Sequence, residues 1–275
     1  MAKGMSMHLG LNAVDPDHYQ GWSGKLAACE ADADDMETIA KSKAFAATKL
    51  LTKHATRRAV MHGLSEAASK LASGDIFFLT YSGHGGQVPD VNGDEDDRMD
   101  ETWCLFDGEL IDDELFDAFG KFKPGVRILV LSDSCHSGTV TREMYYRAKP
   151  MTRTEGAEVR YRNMPRDVAL RVYRAHKKFY DELQAGKKRK TETGDIGASV
   201  LLISGCQDNQ LSSDGEFNGL FTARLLEVWK DGKFKKSYPR FHRAIVDLMP
   251  PDQTPNYFIA GAVDKAFAKQ TPFTL

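Results

Sequence analysis

"GVRILVLSDSCHSG", residues 125–138, decides how this chain is read. Its first half is an aliphatic run, Val126, Ile128, Leu129, Val130 and Leu131, and reads as a buried strand. Its second half is polar, ends on Gly138 and carries one thiol, Cys135. In open α/β sheets chemistry gathers where strands end. A lone cysteine after a strand is most often a small core residue. Its surroundings must therefore decide whether Cys135 packs, binds metal or attacks a substrate.

The same grammar recurs outward from this stretch. "DIFFLTYSGHGG" (75–86) is a strand running into a glycine-rich loop, and "ASVLLISGC" (198–206) is another buried strand. "MHLGLNAV" (7–14) reads as a first strand. Amphipathic stretches at 26–45, 56–75, 110–122, 218–232 and 237–249 read as helices. In 56–75, Val60, Leu64, Ala67, Ala68 and Leu71 share one face, and Gly74 suits the stop. In 218–232, Leu220, Phe221, Leu225, Leu226 and Trp229 point inward. Strands alternating with helices predict an α/β fold around a mostly parallel sheet.

The bulk numbers agree with one such domain spanning 1–275. A chain of 275 residues can bury about three quarters of its unfolded surface without disulfides. Acids crowd residues 90–117 and bases crowd 142–190, but a net charge of −2 does not describe a nucleic-acid binder. The four cysteines, Cys29, Cys104, Cys135 and Cys206, form no CxxC pair and no zinc spacing. Scattered cysteines and an N-terminus without an apolar signal core predict a reduced, cytoplasmic protein. No apolar stretch is long enough to span a membrane. Residues 141–195 break the pattern: they are basic and poor in apolar runs. They read as an insertion, helical around "DVALRVYRAHKKFYDELQ" (167–184) and otherwise exposed, with "KKRK" (187–190) as a solvated loop.

A nucleophilic thiol needs a base within reach and backbone donors for the developing oxyanion. His84 sits in Ser82-Gly83-His84-Gly85-Gly86, and Cys135 in Asp133-Ser134-Cys135-His136-Ser137-Gly138. Glycines beside both let a substrate backbone approach closely. The two lie 51 positions apart, histidine first, near the spacing of caspases. His136 is a rival base, but neighbouring side chains on extended backbone point to opposite sides, which favours His84.

With these residues in view, the chain resembles the metacaspases and their bacterial relatives among the caspase-fold cysteine peptidases. "YSGHGGQ" (81–87) and "DSCHSG" (133–138) are similar to their two signatures. "NAVDPDHYQGWSGKLAACEADADDM" (12–36), the acidic "VNGDEDDRMDETWCLFDGELIDDEL" (91–115) and "SVLLISGCQDNQLSSDGEFNGLFTARLL" (199–226) resemble further parts of the family. The resemblance implies a three-layer α/β/α sandwich with a large-subunit-like half (1–140), the basic insertion (141–195) and a small-subunit-like half (196–275). It implies that Cys135 attacks the scissile carbonyl as a thiolate and that His84 manages the protons. Backbone N–H groups of Gly85 and Cys135 would hold the oxyanion. Cleavage after Arg or Lys is implied by the positions that match the family's pocket, Cys29, Asp32, Ser82 and Asp133. Two carboxylates facing a cation meet the physical requirement. For Asp32 the competing reading is a plain solvated helix face; for Asp133 it is a turn cap.

No cofactor is required for this chemistry, but the resemblance implies calcium as an activator, held by Asp100, Asp112 and Asp113. The family's remaining calcium ligand, an Asp shortly after the catalytic cysteine, is not matched in "TVTREMYY" (139–146). An EF-hand over Asp90, Asn92, Asp94, Asp96 and Glu101 is rejected, because Glu95 stands where the turn needs glycine. Partners are peptide or protein substrates with Arg or Lys at the cleaved position, together with a regulatory protein supplied from elsewhere. Neither membrane nor nucleic acid is expected. The basic segment is the expected place of self-processing, at "RYRNMPR" (160–166) or "GKKRK" (186–190), because exposed loops are nicked first. The alternatives are a clostripain- or legumain-like peptidase of the same fold, and a pseudoprotease serving as scaffold or regulator.

Overall fold

The computed structural model describes residues 2–91, 99–134, 160–185, 196–206, 213–214, 218–251 and 253–275. Cys135, "TVTREMYY", "GKKRK" and most of the rejected EF-hand loop lie outside the described residues.

A six-stranded sheet forms the centre. In chain order its strands are β1 (Gly4–Gly10), β2 (Ala46–Leu51), β3 (Ile76–Ser82), β7 (Arg127–Asp133), β9 (Ser199–Ser204) and β11 (Asn256–Gly261). Across the sheet they run β11-β9-β7-β3-β1-β2. All pair in parallel except β11, which runs antiparallel to β9. β3 and β7 are buried at all seven positions, as strands covered on both faces must be.

Side chains alternate between the two covering layers. Phe77, Leu79, Tyr81, Ile128 and Val130 face a core shared with Val60, Leu64 and Ala67 of helix α2 (Arg57–Lys70) and Leu115 and Phe119 of α3 (Asp112–Phe119). Phe78, Leu129, Leu131 and Ile203 face the other way. They meet Met36 and Ile39 of α1 (Cys29–Ser42), Phe221 and Leu225 of α6 (Leu220–Trp229), and Phe241 and Ile245 of α7 (Tyr238–Val246). The three-layer α/β/α sandwich is the predicted architecture. The five residues assigned inward on 56–75 are all buried, although the helix stops at Lys70. Leu71 is already extended, and Gly74, at φ +88°, makes the turn into β3.

A smaller antiparallel sheet sits beyond the end of β3. It contains β4 (Gly85–Pro89), β5 (Met99–Leu105) and β6 (Gly108–Ile111). Helices α4 (Arg166–Ala175) and α5 (Lys177–Gln184) pack against it. Their residues Val168, Val172 and Tyr180 join Val88, Cys104 and Ile111 in a third core. The helical reading of 167–184 holds, with a break at His176. The reading of the residues before it as exposed needs correction: Arg162 and Met164 are buried. A two-stranded pair, β8 (Arg160–Tyr161) with β10 (Ser213–Asp214), ties this segment to the far half of the chain.

Candidate active site

Ser82 and Asp133 end two neighbouring parallel strands and are paired in register. The site therefore forms where β3 and β7 stop, as the sheet's polarity requires. The start of α1 lies against it. Asn12, just past β1, accepts the N–H groups of Cys29 (2.9 Å) and Glu30 (3.3 Å) through its side-chain oxygen. That contact satisfies two otherwise orphaned helix donors and fixes the first turn of α1, which carries Cys29 and Asp32 toward the strand ends.

The four predicted pocket residues converge. Asp32 is 1% exposed, so the solvated-face reading is wrong for it, whereas Asp34, two residues on, is exposed. Its Oδ2 accepts from Ser82 Oγ at 2.7 Å. Its Oδ1 accepts from Gly219 N–H at 3.0 Å and Asn218 Nδ2 at 3.0 Å. Asp133 is buried and its Oδ2 accepts from the hydroxyl and N–H of Thr222 at 3.0 and 3.2 Å. Gly219 leaves room for this arrangement: a Cβ there would lie 2.4 Å from Asp133 Oδ2 and displace the carboxylate. Cys29 lines the same pocket, and burial pushes its thiol up to about 12. It is a wall residue, protonated at neutral pH, and not a second nucleophile.

The pocket holds the guanidinium of Arg162, whose side chain is fully buried. Its Nη2 donates to Asp32 Oδ2 at 2.8 Å and to Asp214 Oδ1 at 3.0 Å. Its Nη1 reaches Ser82 Oγ at 2.7 Å, the Asp133 carboxylate at 3.1 Å and the Asp133 carbonyl at 3.2 Å. Burial alone would lower its pKa; the surrounding acids, Asp133 first, hold it well above the usual value. Three carboxylates hold this one cation through charge-assisted hydrogen bonds.

His84 stands at the edge of this pocket, buried, with its ring 4.7 Å from that of Trp22. Its Nε2 bonds the Gly24 carbonyl at 3.0 Å. Gly24, at φ +48°, admits the ring because a Cβ there would meet it at 3.0 Å. A proton on Nε2 leaves Nδ1 as the acceptor, and Nδ1 has no hydrogen-bond partner among the described residues. Burial lowers its pKa to about 4, with the Gly24 carbonyl opposing. The imidazole is thus neutral at pH 7 and oriented through a backbone carbonyl, the third group that the sequence could not supply. Gly85, the predicted oxyanion donor, gives its N–H at 2.9 Å to the carbonyl of Arg162.

The predicted metal residues gather elsewhere. Asp100 lies on β5 beside Glu101, and Asp112 and Asp113 open α3. Burial, then Glu101 and Asp100, push the Asp112 carboxyl well above the usual range. Among the described residues, no three His, Cys, Asp or Glu side chains form a group that could hold an ion. Sequence reasoning missed Asp214, Arg162 and Gly24. Asp214 sits on a two-residue strand, and its one available signal was its place after a sheet strand. Arg162 is one of many bases in its segment, and Gly24 acts through its backbone.

This arrangement defines a class: the caspase fold, in which a histidine loop follows one sheet strand and, in the sequence, a cysteine follows its neighbour. The family comparison agrees. The caspase domain profile matches residues 13–272, and the chain belongs to that family. It is 32% identical over 196 residues to Metacaspase-1 of Saccharomyces cerevisiae, covering 62% of this chain and 44% of that protein. It is 30% identical over 199 residues to Metacaspase-1 of Schizosaccharomyces pombe, covering 64% and 46%. The chain spans about half the length of the curated relatives it matches. A solved structure, protein GSU0716 from Geobacter sulfurreducens, is 60% identical, with a TM-score of 0.90 over 99% of both chains. No helix among the described residues is long and apolar enough to cross a membrane.

Proposed function

We propose that the chain is a cysteine endopeptidase that cuts peptide bonds after Arg or Lys, with Cys135 as nucleophile and His84 as base. The buried acidic pocket of Asp32, Asp133 and Asp214 beside His84 carries this reading. A cationic side chain placed there puts the following carbonyl on Gly85 N–H, as Arg162 does. The thiolate of Cys135 attacks that carbon, Gly85 takes the developing negative charge, and His84 delivers a proton to the leaving amine. An imidazole lowered to about 4 accepts the thiol proton once thiol and ring meet, because the resulting ion pair offsets the desolvation.

Calcium activation is part of the proposal. It rests on the family resemblance alone: among the described residues the predicted ligands Asp100, Asp112 and Asp113 do not form a group that could hold the ion. Protein or peptide substrates and a reducing, cytoplasmic setting complete it; a free thiol nucleophile and scattered cysteines support the latter. A mixed peptide library cut by wild type and by Cys135→Ala tests the core of the reading. Cleavage confined to wild type, with Arg or Lys before the cut, is expected; a profile led by Asp or Glu refutes the pocket.

A further inference from the structure

The loop between β1 and α1 brings an aromatic residue onto the histidine of the site. Residues 12–26 fold back on themselves: Val14 N–H donates to the Ser23 carbonyl at 3.0 Å, Gly21 N–H to that of Pro16 at 2.8 Å and Trp22 N–H to that of Tyr19 at 3.1 Å. Tyr19, fully buried, pins the loop to the small sheet, its hydroxyl donating to the Leu105 carbonyl at 2.7 Å. The braced loop presents Trp22, half-buried, to His84. Their ring centres lie 4.7 Å apart, with the planes inclined by 58°. Gly24 makes the slot they share: a Cβ there would lie 2.8 Å from the indole and 3.0 Å from the imidazole Cδ2. With the indole in place His84 is only 5% exposed. A ring so placed excludes water and opposes the half-turn of the imidazole that would exchange Nδ1 with Cδ2. We infer that Trp22 is a positioning residue for His84, a fixed cover that holds its ring in one orientation and out of water.

This inference rests on the proposed peptidase, in which His84 is the base, and adds a residue to that site. The cover has two opposed effects on the charge of the imidazole. An aromatic ring attracts a cation within about 6 Å of its centre, which favours the imidazolium. Exclusion of water favours the neutral ring. Burial is the largest influence on His84 and lowers its pKa to about 4, so the second effect wins. Of the other groups that face the ring, the Gly24 and Asn163 backbones and the Asp214 carboxylate favour the proton, and the Arg162 guanidinium opposes it. None of them belongs to the Trp22 side chain, so shortening that side chain changes the access of water and leaves the others in place. A neutral imidazole with Nδ1 held as the free acceptor is what a general base requires. An indole that only filled space would leave the titration of His84 unmoved when shortened.

The test uses the purified full chain with Trp22→Phe, Trp22→Leu and Trp22→Ser. The His84 ring signal is followed by NMR against pH, assigned by its loss in His84→Asn, and cleavage of an Arg peptide is assayed in parallel. In wild type and Trp22→Phe the ring should stay neutral down to about pH 5. In Trp22→Ser water reaches it, and the midpoint should rise by about one pH unit or more, toward the ordinary histidine value. Trp22→Leu, which keeps an apolar side chain should the Ser variant not fold, should move the midpoint the same way. In Trp22→Ser kcat should fall roughly ten- to hundredfold while KM changes less than about twofold, and Trp22→Phe should stay within about threefold of wild type. A midpoint unmoved in Trp22→Ser and Trp22→Leu, or equal losses of kcat in the Phe and Ser variants, overturns this inference and leaves the proposed function standing. A wild type that cuts no Arg or Lys peptide, although the midpoint moves as stated, overturns the proposed function and with it the part of Trp22 in catalysis.

Discussion

Asp32→Asn isolates charge from shape in the specificity pocket. All of the partners Asp32 meets here are donors: Arg162 Nη2, Ser82 Oγ, Asn218 Nδ2 and Gly219 N–H. The substitution therefore removes a charge 2.8 Å from the bound guanidinium and turns one acceptor into a donor facing donors. Breaking one side of a buried, hydrogen-bonded charge pair costs about 2–5 kcal/mol. Asp133 and Asp214 still face the cation, so the lower part of that range, about 2–4 kcal/mol, applies. At 1.4 kcal/mol per decade, kcat/KM for Arg peptides should fall roughly 30- to 700-fold. A matched peptide with Gln before the cut should change less than about threefold, since it never used the charge. Arg162 loses the same contact, so the melting temperature should fall on the order of 5–10 °C. Paired fluorogenic peptides and thermal unfolding measure all three. Equal losses on the Arg and Gln peptides would show that Asp32 holds the scaffold and not the substrate, and the pocket assignment would fall.

Three further outcomes follow from the same geometry. Cys135→Ala and His84→Ala should each abolish peptide cleavage, and the double variant should be little worse than either, because nucleophile and base act as a unit; steady-state assays of all three decide this. Stability should decline as pH falls from about 6.5 toward 4. His8, His18 and His84 are lowered by burial to about 3, 4 and 4, so the unfolded chain binds more protons over that window. The denaturant-derived slope should approach 1.4 kcal/mol per pH unit for each such histidine, and His8→Asn should flatten it. Gly219→Ala should reduce Arg-peptide cleavage and lower the melting temperature together, because its Cβ would stand 2.4 Å from Asp133 Oδ2 and 2.5 Å from the Arg162 guanidinium. An unchanged variant by both measures would contradict the packing described around Arg162.

The parts of this molecule legible in sequence are those whose physics is local. β3 and β7 are continuous apolar runs, and α2 shows its face at helical spacing, so both elements and the site at the strand ends could be read directly. The missed elements lack a local signal. β2 is an edge strand, half exposed, without clean alternation. The β4–β6 sheet runs through an acidic stretch whose polar residues hide strand pairing. Asp32 and Asp133 were found through a family resemblance, since their burial depends on neighbours up to 187 positions away. Arg162 was within a segment named as a target for cutting because exposure was expected there; the residue is instead buried in the pocket.

That burial has a consequence for how specificity and stability are coupled. Asp32, Asp133 and Asp214 converge in a region shielded from water, where like charges repel strongly and desolvation is costly. Without a cation between them the three would have to protonate, admit water or move apart. The guanidinium of Arg162 is therefore a structural part of the pocket, and under the proposed function a substrate Arg would compete for the same place. Removing that cation, as in Arg162→Gln, should therefore leave the chain less stable than wild type. A bound Arg ligand should restore that stability by the linkage amount, about 2.7 kcal/mol at a hundredfold excess over Kd. Thermal unfolding of the Arg162→Gln variant with an Arg peptide aldehyde, against its Gln counterpart, reads this directly. If the two ligands stabilise equally, the acids do not need a cation, and the proposed link between the pocket's charge and substrate choice fails.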